Sequence, residues 1–375
     1  MDIRYLTAGE SHGKALISII EGIPKGLKLN AKSINKELAR RMRGIGRGKR
    51  MLIEKDKVEI LSGLRKGKTL GSPIALLVKN KDFKIETLHS ISSPRPGHAD
   101  LAGALKFGTK DMRDILERAS ARETASRVAA GALVKTLLRE FRIDLASHVI
   151  MIGGIRSQEY FSFDRIKTLS EKSPVRCVDK DASRLMCMEI NEAKRSGDTL
   201  GGIFEVIIKG IPPGLGSYTQ WDKRLDGNLA RAVMSIPGIK GVEVGTGFSA
   251  AEKRGSLVHD EILFDKKLRK ITRKTNNAGG LEGGITNGES IILRAAAKPI
   301  ATLRKPLGSV DLRTGRKTKA QVERADVCVV AASGVIAESV CAIEIARCMA
   351  EKFGGDSLIE MKRNYEGYMK ALRRI

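Results

Sequence analysis

The fold is decided by two stretches, 13–27 (GKALISIIEGIPKGL) and 201–215 (GGIFEVIIKGIPPGL), which align without a gap. Each predicts a strand followed by a Gly-Ile-Pro-x-Gly-Leu turn. The alignment extends backwards, where Gly9-Glu10-Ser11-His12-Gly13 matches Gly197-Asp198-Thr199-Leu200-Gly201. A spacing near half the chain length indicates duplication with pseudo-twofold symmetry, because solenoid repeats have much shorter periods.

Strand and helix patterns are mixed throughout both halves, which predicts an α/β (α+β) protein with layered sheets. Strands are predicted at 2–7, 14–21, 51–62 and 73–79, helices at 32–42 (capped by Asn30), 121–141 and 331–352, and loops at 80–97 and 153–182. No low-complexity linker separates the halves. We therefore expect one domain over 1–375, made of pseudo-equivalent halves of about 1–185 and 186–375.

The amino-acid composition excludes several classes of protein. The 375 residues are 42% hydrophobic, which excludes a disordered chain, and no apolar stretch reaches the roughly 18–20 residues that span a bilayer. The N-terminus lacks a signal-peptide layout, so an intracellular, cytoplasmic protein is expected. The five cysteines contain no C-x-x-C pair, so neither a disulfide framework nor a metal site is indicated, and Cys341 and Cys348 are interpreted as small core residues.

The charge is strongly positive. Lys and Arg number 68 against 43 Asp and Glu, a net charge of +25, which requires anionic partners such as nucleic acid, acidic lipid or small phosphorylated and carboxylated molecules. The fifteen aromatic residues do not interleave with the basic runs, and no zinc finger, basic zipper or RNP motif is present. The partner therefore need not be a polymer.

One basic run, 40–50, carries six cations, no acid and three glycines. Glycine allows close backbone approach to a ligand, and arginine matches phosphate or carboxylate oxygens in bidentate geometry. A solvated basic loop or an RNA-binding patch is the alternative. Taken alone, the run does not decide between them.

Two histidines are candidate catalytic groups. His98 lies in the Pro-bracketed turn Pro94-Arg95-Pro96-Gly97-His98, although most single histidines are structural. His12 is more informative, because the duplicate of its turn carries Leu200, so the scaffold is common and the histidine is peculiar to one half. Arg118 and Arg122 lie four apart around Ser120, and the alternative there is an exposed helix paired with Glu117 and Glu123.

These motifs together resemble the chorismate synthase family along essentially the whole chain. The resemblance rests on Thr7-Ala8-Gly9-Glu10-Ser11-His12-Gly13, the basic loop, Arg95-Pro96-Gly97-His98-Ala99-Asp100, Glu117-Arg118-Ala119-Ser120-Ala121-Arg122-Glu123, Asn276-Asn277-Ala278-Gly279-Gly280 and Lys298-Pro299. It implies a layered β–α–β sandwich with internal pseudo-symmetry and a homotetramer.

The resemblance also implies a reaction. A carbon–oxygen lyase of this family eliminates phosphate and a ring proton from 5-enolpyruvylshikimate 3-phosphate, giving chorismate for aromatic amino acid biosynthesis. It requires reduced FMN without net redox change, and NADPH is a candidate flavin reductant. Substrate and flavin phosphate carry several negative charges, which accounts for part of the basic composition. Membrane and nucleic-acid partners are not expected.

Site residues follow by motif. His12 would be the general acid for the departing phosphate, His98 would protonate or polarise the flavin, and Asp326 would assist proton removal. Substrate anions would be held by Arg41, Arg47, Arg50, Arg95 and Arg122, of which Arg41 and Arg47 also match NADP-binding positions. The FMN site would comprise Arg118, Ala119, Ser120, Pro237, Gly238, Gly283, Lys298, Pro299, Ile300, Ala301, Thr302 and Arg324.

The chain departs from commoner family forms at a few flavin positions. Pro237-Gly238 stands where many members have Asn-Ala, Ala119 replaces a frequent Ser, and Ala301 replaces Pro or Ser. Two other classes remain open: an RNA-associated basic protein, and a protein that binds sugar or acid phosphates without catalysis. The first does not explain the histidine motifs or the duplication, and the second leaves His12 and Asp326 without a role.

Overall fold

The computed structural model describes residues 2–48, 53–158, 160–266, 270–323 and 326–372. Its strands are β1 Arg4–Ala8, β2 Ala15–Glu21, β3 Val58–Ile60, β4 Leu64–Arg65, β5 Lys68–Thr69, β6 Ile74–Lys79, β7 Asp144–Ile152, β8 Ile155–Arg156, β9 Gly202–Lys209, β10 Ile239–Val244, β11 Ile262–Asp265, β12 Lys270–Arg273, β13 Leu281–Glu282, β14 Ile285–Thr286, β15 Ile291–Ala297, β16 Gly308–Val310 and β17 Lys317–Lys319. Its α-helices are α1 Ala31–Met42, α2 Asp100–Phe107, α3 Arg113–Ala119, α4 Thr124–Arg139, α5 Phe163–Leu169, α6 Lys180–Ser196, α7 Leu225–Met234, α8 Val330–Phe353 and α9 Leu358–Leu372.

The two repeat stretches form corresponding strands of two sheets. The first sheet has the order β1-β2-β6-β3, and the second has the order β10-β15-β9-β7-β8. The repeat strands β2 and β9 each lie between two antiparallel neighbours, β1 and β6 in one sheet and β7 and β15 in the other. The alternating burial of β2 and β15 fits strands with one face in the core. In both sheets, therefore, the repeat strand holds an inner position.

The helices α4 and α8 form the layer between the sheets. They pack against each other, α4 also contacts β2 and β6, and α8 contacts β7 and β9. Gly131 of α4 makes the close approach possible, because a Cβ there would lie 2.6 Å from Ser339 Cα of α8. Both helices are apolar almost all round, as expected for helices covered on several sides. The predicted α/β sandwich class is confirmed.

A buried ionic cluster joins these layers. Glu338 of α8 accepts hydrogen bonds from Arg40 (Nη1 2.7 Å and Nη2 2.9 Å), from Lys135 Nζ (2.6 Å) and from Ser147 Oγ (2.6 Å). Glu37 accepts from the same Arg40 and Lys135, both at 2.6 Å. Burial by itself raises the pKa of Glu338, but Arg40 and Lys135 hold it well below its usual range. The carboxylate is therefore ionised inside the protein.

The predicted secondary structure is right for the repeat strands and long helices and wrong in two segments. Of the strand predicted at 51–62, the described part is a strand only at Val58–Ile60, because Glu54 and Asp56 are buried as partners of arginines. The predicted loop 153–182 contains α5 and the start of α6. Ile166 of α5 is buried, and the Asp179 side chain caps α6 by accepting from Ala182 N.

By sheet membership the second half begins at β7, earlier than the predicted boundary near residue 185. The strand β7 pairs antiparallel with β9 along most of its length, and this pairing places β7 in the second sheet. Cys341 is buried in α8, whereas Cys348 of the same helix is partly buried and packs against the core. Burial raises the pKa of Cys348 to about 12. Among the described residues, no helix is long and apolar enough to cross a membrane.

Candidate functional site

The described part of the Gly/Arg loop brings Arg47 and Asp326 together. Arg47 Nη1 lies 2.6 Å from Asp326 Oδ2, and Gly48 N donates to Asp326 Oδ1 at 2.5 Å. The Gly46 carbonyl accepts from Val327 N at 2.7 Å, which docks the loop beside the start of α8. Two predicted site residues from opposite ends of the chain are thus in contact. Arg50 lies outside the described residues.

Arg41 and Arg122 form a second cationic pair around Asp56. Arg41 Nη1 lies 3.5 Å from Asp56 Oδ2, and Arg122 Nη1 lies 2.6 Å from Asp56 Oδ1. Arg41 Nε also donates to Thr124 Oγ1 at 3.0 Å. Burial lowers the pKa of Arg41 to about 10, and Asp56 opposes that shift. Arg122 Nη2 also lies 3.5 Å from Glu54 Oε2, so two arginines face two carboxylates in this buried cluster.

Arg118 is exposed in the last turn of α3, but Arg122 is buried beyond the end of that helix. Arg118 ends α3 and donates to the carbonyls of Gly9 (2.8 Å) and Thr7 (2.9 Å), while Arg122 is buried in the following 3₁₀ turn. Arg122 Nε donates to Asn80 Oδ1 at 2.9 Å, and Asn80 Nδ2 donates to the Gly13 carbonyl at 2.7 Å. Both arginines therefore hold the turn that carries His12.

His12 lies in that turn, directly after β1, with about 15% of its side chain exposed. Its Nδ1 lies 2.9 Å from Glu117 Oε1, and its backbone N–H donates to Glu117 Oε2 at 2.7 Å. Its Nε2 lies 3.9 Å from Asp82 Oδ2. Burial would raise the pKa of Glu117, but the hydrogen bonds from His12 lower it below the usual value. His12 thus contacts an ionised carboxylate.

His98 has a parallel arrangement. Its Nδ1 lies 2.5 Å from Asp100 Oδ1, and Arg95 Nε donates to Asp100 Oδ2 at 2.8 Å. Arg95 Nη1 also donates to Thr302 Oγ1 at 2.8 Å, and Lys298 Nζ donates to the carbonyl of the residue before His98. Burial would raise the pKa of Asp100, but His98 and Arg95 hold it well below its usual range.

An open cavity of about 510 Å³ lies beside Arg118, which holds the turn that carries His12. It is lined by Tyr5, Leu6, Thr7, Arg118, Ala119, Ser120, Glu123, Arg127, Ser235 and Pro237. Four of these, Arg118, Ala119, Ser120 and Pro237, are predicted flavin residues from distant parts of the chain. Next to Pro237, the Gly238 carbonyl accepts from Lys298 N at 2.9 Å, which connects the cavity to the His98 segment.

Other predicted flavin residues lie beside this cavity or elsewhere. The segment Lys298–Thr302 contacts Gly238 and Arg95 but does not line the cavity. Gly283 lies in the β13–β14 turn, which is joined to the start of α7 through a 3.0 Å hydrogen bond from Leu225 N to the Gly284 carbonyl. Arg324 lies outside the described residues.

Three acidic residues and an asparagine of this site were not predicted as functional. Asp100 and Glu117 stand next to predicted groups in the motifs, so a search for carboxylates within a few residues of each histidine and arginine would have found them. Asp56 and Asn80 are different. They come from a segment assigned to a strand and from a loop, and only the tertiary fold brings them to Arg122.

The site defines a class of protein: an α/β protein that carries buried arginines and two histidine–carboxylate pairs, suited to a small anionic ligand. The chorismate synthase family model matches residues 3–350. The chain is 53% identical to a chorismate synthase of Geobacter metallireducens, with 99% of each sequence covered. It is 54% identical to one of Pelobacter propionicus, again with 99% of each covered.

A solved structure agrees. A crystal structure of chorismate synthase superposes with a TM-score of 0.84 at 42% identity, covering 100% of this chain and 99% of that one. The chain therefore belongs to the chorismate synthase family.

Proposed function

We propose that the protein converts 5-enolpyruvylshikimate 3-phosphate to chorismate and inorganic phosphate in the presence of reduced FMN. The carbon–oxygen bond to phosphate breaks with its electron pair leaving on oxygen, a ring proton departs, and a new double bond forms. Substrate and products balance without an added oxidant or reductant. Family membership supports the proposal, and the observation that carries it is that each motif histidine contacts a buried carboxylate, His12 with Glu117 and His98 with Asp100.

The arginines of the site suit an anionic substrate. Two carboxylates and a phosphate give this substrate roughly −4 charges, counting the phosphate as about −2. Arg41 and Arg122 lie beside Asp56 and Glu54, and Arg47 pairs with Asp326. Carboxylates therefore hold these arginines in fixed positions. Arginines held in place by carboxylates and backbone carbonyls are preorganised to orient a leaving phosphate.

The cavity fits a flavin. Its volume of about 510 Å³ lies within the range of roughly 300–1,000 Å³ for cofactor sites. Tyr5 and Leu6 supply apolar wall, while Arg118 and Ser120 supply polar groups. We assign the FMN contacts to Arg118, Ala119, Ser120, Pro237, Gly238, Gly283, Lys298, Pro299, Ile300, Ala301, Thr302 and Arg324. Reduced FMN would supply electron density to the ring that loses phosphate.

The chain's own groups handle protons. His12 would give a proton to the departing phosphate, and histidine suits this role because its ordinary pKa is near 6.5. His98 would hold a proton on the flavin side of the cavity. Asp326, which lies 2.6 Å from Arg47 Nη1, would help to remove the ring proton. Arg41 and Arg47 would also bind NADPH, which would serve as the flavin reductant. The protein would act as a cytoplasmic homotetramer.

The test is an anaerobic reaction. Purified protein is mixed with reduced FMN and 5-enolpyruvylshikimate 3-phosphate, and chorismate absorbance is followed with phosphate release. Steady formation of both products is the expected result. Binding of the substrate without product would favour a phosphate-binding protein, and tight RNA binding without substrate binding would favour the RNA-associated class. Either result would overturn the proposal.

A further inference from the structure

We propose that Glu117 is a positioning residue that fixes the tautomer of His12, so that Nε2 is the atom that exchanges the proton. This inference rests on the proposed function for the meaning of that proton. The contact itself is a property of the chain and can be measured without any reaction.

Glu117 makes three contacts with the turn that carries His12. Its carbonyl accepts from Ser11 N at 2.8 Å, Oε2 accepts from His12 N at 2.7 Å, and Oε1 lies 2.9 Å from His12 Nδ1. The residue is buried, at about 4% exposure. Because an ionised carboxylate only accepts hydrogen bonds, the ring nitrogen facing it must carry a proton. The neutral ring is thereby held as the Nδ1–H tautomer.

The charged groups around the pair are consistent with this assignment. On α3, Arg113 Nη1 lies 3.7 Å from Glu117 Oε1, and Arg113 is itself paired with Glu323 at 2.9 Å. On the other side of the ring, Asp82 Oδ2 lies 3.9 Å from Nε2, and Lys84 Nζ lies 3.0 Å from Asp82 Oδ1. Glu117 is the carboxylate at hydrogen-bond distance from the ring.

The chemical consequence concerns what remains after a proton leaves. If the imidazolium gives its proton from Nε2, the neutral Nδ1–H form that results keeps its hydrogen bond to Glu117, and nothing must rearrange. A histidine that is held in the wrong tautomer loses most of its acid–base efficiency even when its position is unchanged. Glu117 would therefore act on the rate through His12, without touching the substrate.

Glu117→Gln separates this role from a purely structural one. The His12 backbone N–H requires an acceptor, so the amide oxygen of Gln takes the Oε2 position and its NH₂ group faces Nδ1. An NH₂ group only donates, so Nδ1 must become the acceptor and the proton moves to Nε2. The substitution thus preserves volume and the backbone bond while inverting the tautomer.

The experiment is nitrogen-15 NMR of the histidine rings in the full-length protein, combined with steady-state kinetics on 5-enolpyruvylshikimate 3-phosphate with reduced FMN. In the parent, neutral His12 should be the Nδ1–H tautomer. In Glu117→Gln it should be Nε2–H, and kcat should fall on the order of 10²–10⁴-fold while KM changes little. Glu344→Gln, which alters another buried carboxylate paired with Arg347 on α8, is the matched control and should keep the parent tautomer and rate.

Three results would overturn the proposal: an Nε2–H tautomer in the parent, an unchanged tautomer in Glu117→Gln, or an inverted tautomer with unchanged kcat. The parent spectrum decides the first point even if the variant does not fold. If the parent shows no turnover, the proposed function is wrong. The NMR result would still decide whether Glu117 fixes the tautomer of His12.

Discussion

Glu338→Gln tests the buried cluster that ties α1, α4 and α8 to the second sheet. The side chain of Glu338 is completely buried and receives four hydrogen bonds, two from Arg40 and one each from Lys135 and Ser147. Arg176 Nη2 lies 3.6 Å from Glu338 Oε1. Gln preserves the shape of the side chain but removes the charge and turns one acceptor into a donor.

The expected cost follows from this geometry. Without Glu338, the two buried cations Arg40 and Lys135 retain Glu37 as a shared partner, and Arg40 keeps Glu171 at 2.8 Å. Removing one partner from a buried ion pair typically costs about 3–5 kcal/mol, because the remaining charge stays desolvated. We expect the free energy of unfolding to fall by about that amount.

The assay is urea denaturation of parent and variant, with thermal melts in parallel. The midpoint should fall with little change in the slope, since the area exposed on unfolding is the same. Glu351→Gln on the same helix is the matched control: Glu351 is exposed and lies 3.1 Å from Lys223, so its loss should change stability by no more than about 0.5 kcal/mol. Equal effects of the two substitutions would refute the reasoning.

Further predictions concern pH, substrate binding and catalysis. Burial alone would raise the pKa of Glu338, but Arg40 and Lys135 lower it, so the stability that this carboxylate contributes is full above the unfolded pKa of about 4.3 and is lost as the pH falls towards the folded pKa. The difference in stability between parent and Glu338→Gln should therefore narrow in melts at acid pH. A difference that widens at acid pH would contradict this prediction. Arg47→Ala should weaken substrate binding by about 2–5 kcal/mol in titrations, whereas a loss confined to RNA binding would assign the loop to nucleic acid. His12→Leu should lower kcat by about 10²–10⁴-fold at nearly unchanged FMN affinity, and normal turnover would end its catalytic assignment.

The structure changes one expectation for His12→Leu. The duplicate turn carries Leu200, so the sequence predicts that leucine fits and leaves the fold nearly intact. In the structure, however, leucine would leave Glu117 Oε1 without the ring contact at 2.9 Å. A buried acceptor that loses its partner costs about 1–3 kcal/mol, so we expect a lower melting temperature together with the loss of rate.

The repeat predicted the centre of the fold because it is a local signal. Alternating apolar residues and the Gly-Ile-Pro turns define β2 and β9 within a few residues, and the pairing of both with their neighbours follows. The strand at 51–62 and the loop at 153–182 were wrong for tertiary reasons. Asp56 is buried against Arg122, and Ile166 is buried in a small cluster beside the second sheet.

The sequence predicted those residues of the candidate site that lie in the quoted family motifs. Pro237 and Arg118 lie far apart in the chain, yet both line the same cavity. Asp56 was missed, because no local pattern pairs it with Arg122, and for the same reason the contact of Arg47 with the predicted Asp326 was not foreseen. Such partners are set by the packing of helices and loops, which the sequence alone does not order.

The central claim is that the chain eliminates phosphate with a flavin that is not consumed. The most direct measurement counts products anaerobically over many turnovers, with chorismate, phosphate and flavin oxidation state followed in the same cuvette. We predict chorismate and phosphate in equal amounts, many equivalents of each per reduced FMN, no net flavin oxidation, and no product with oxidised FMN. Turnover in flavin-free buffer, or one flavin oxidised for each chorismate formed, would contradict the account.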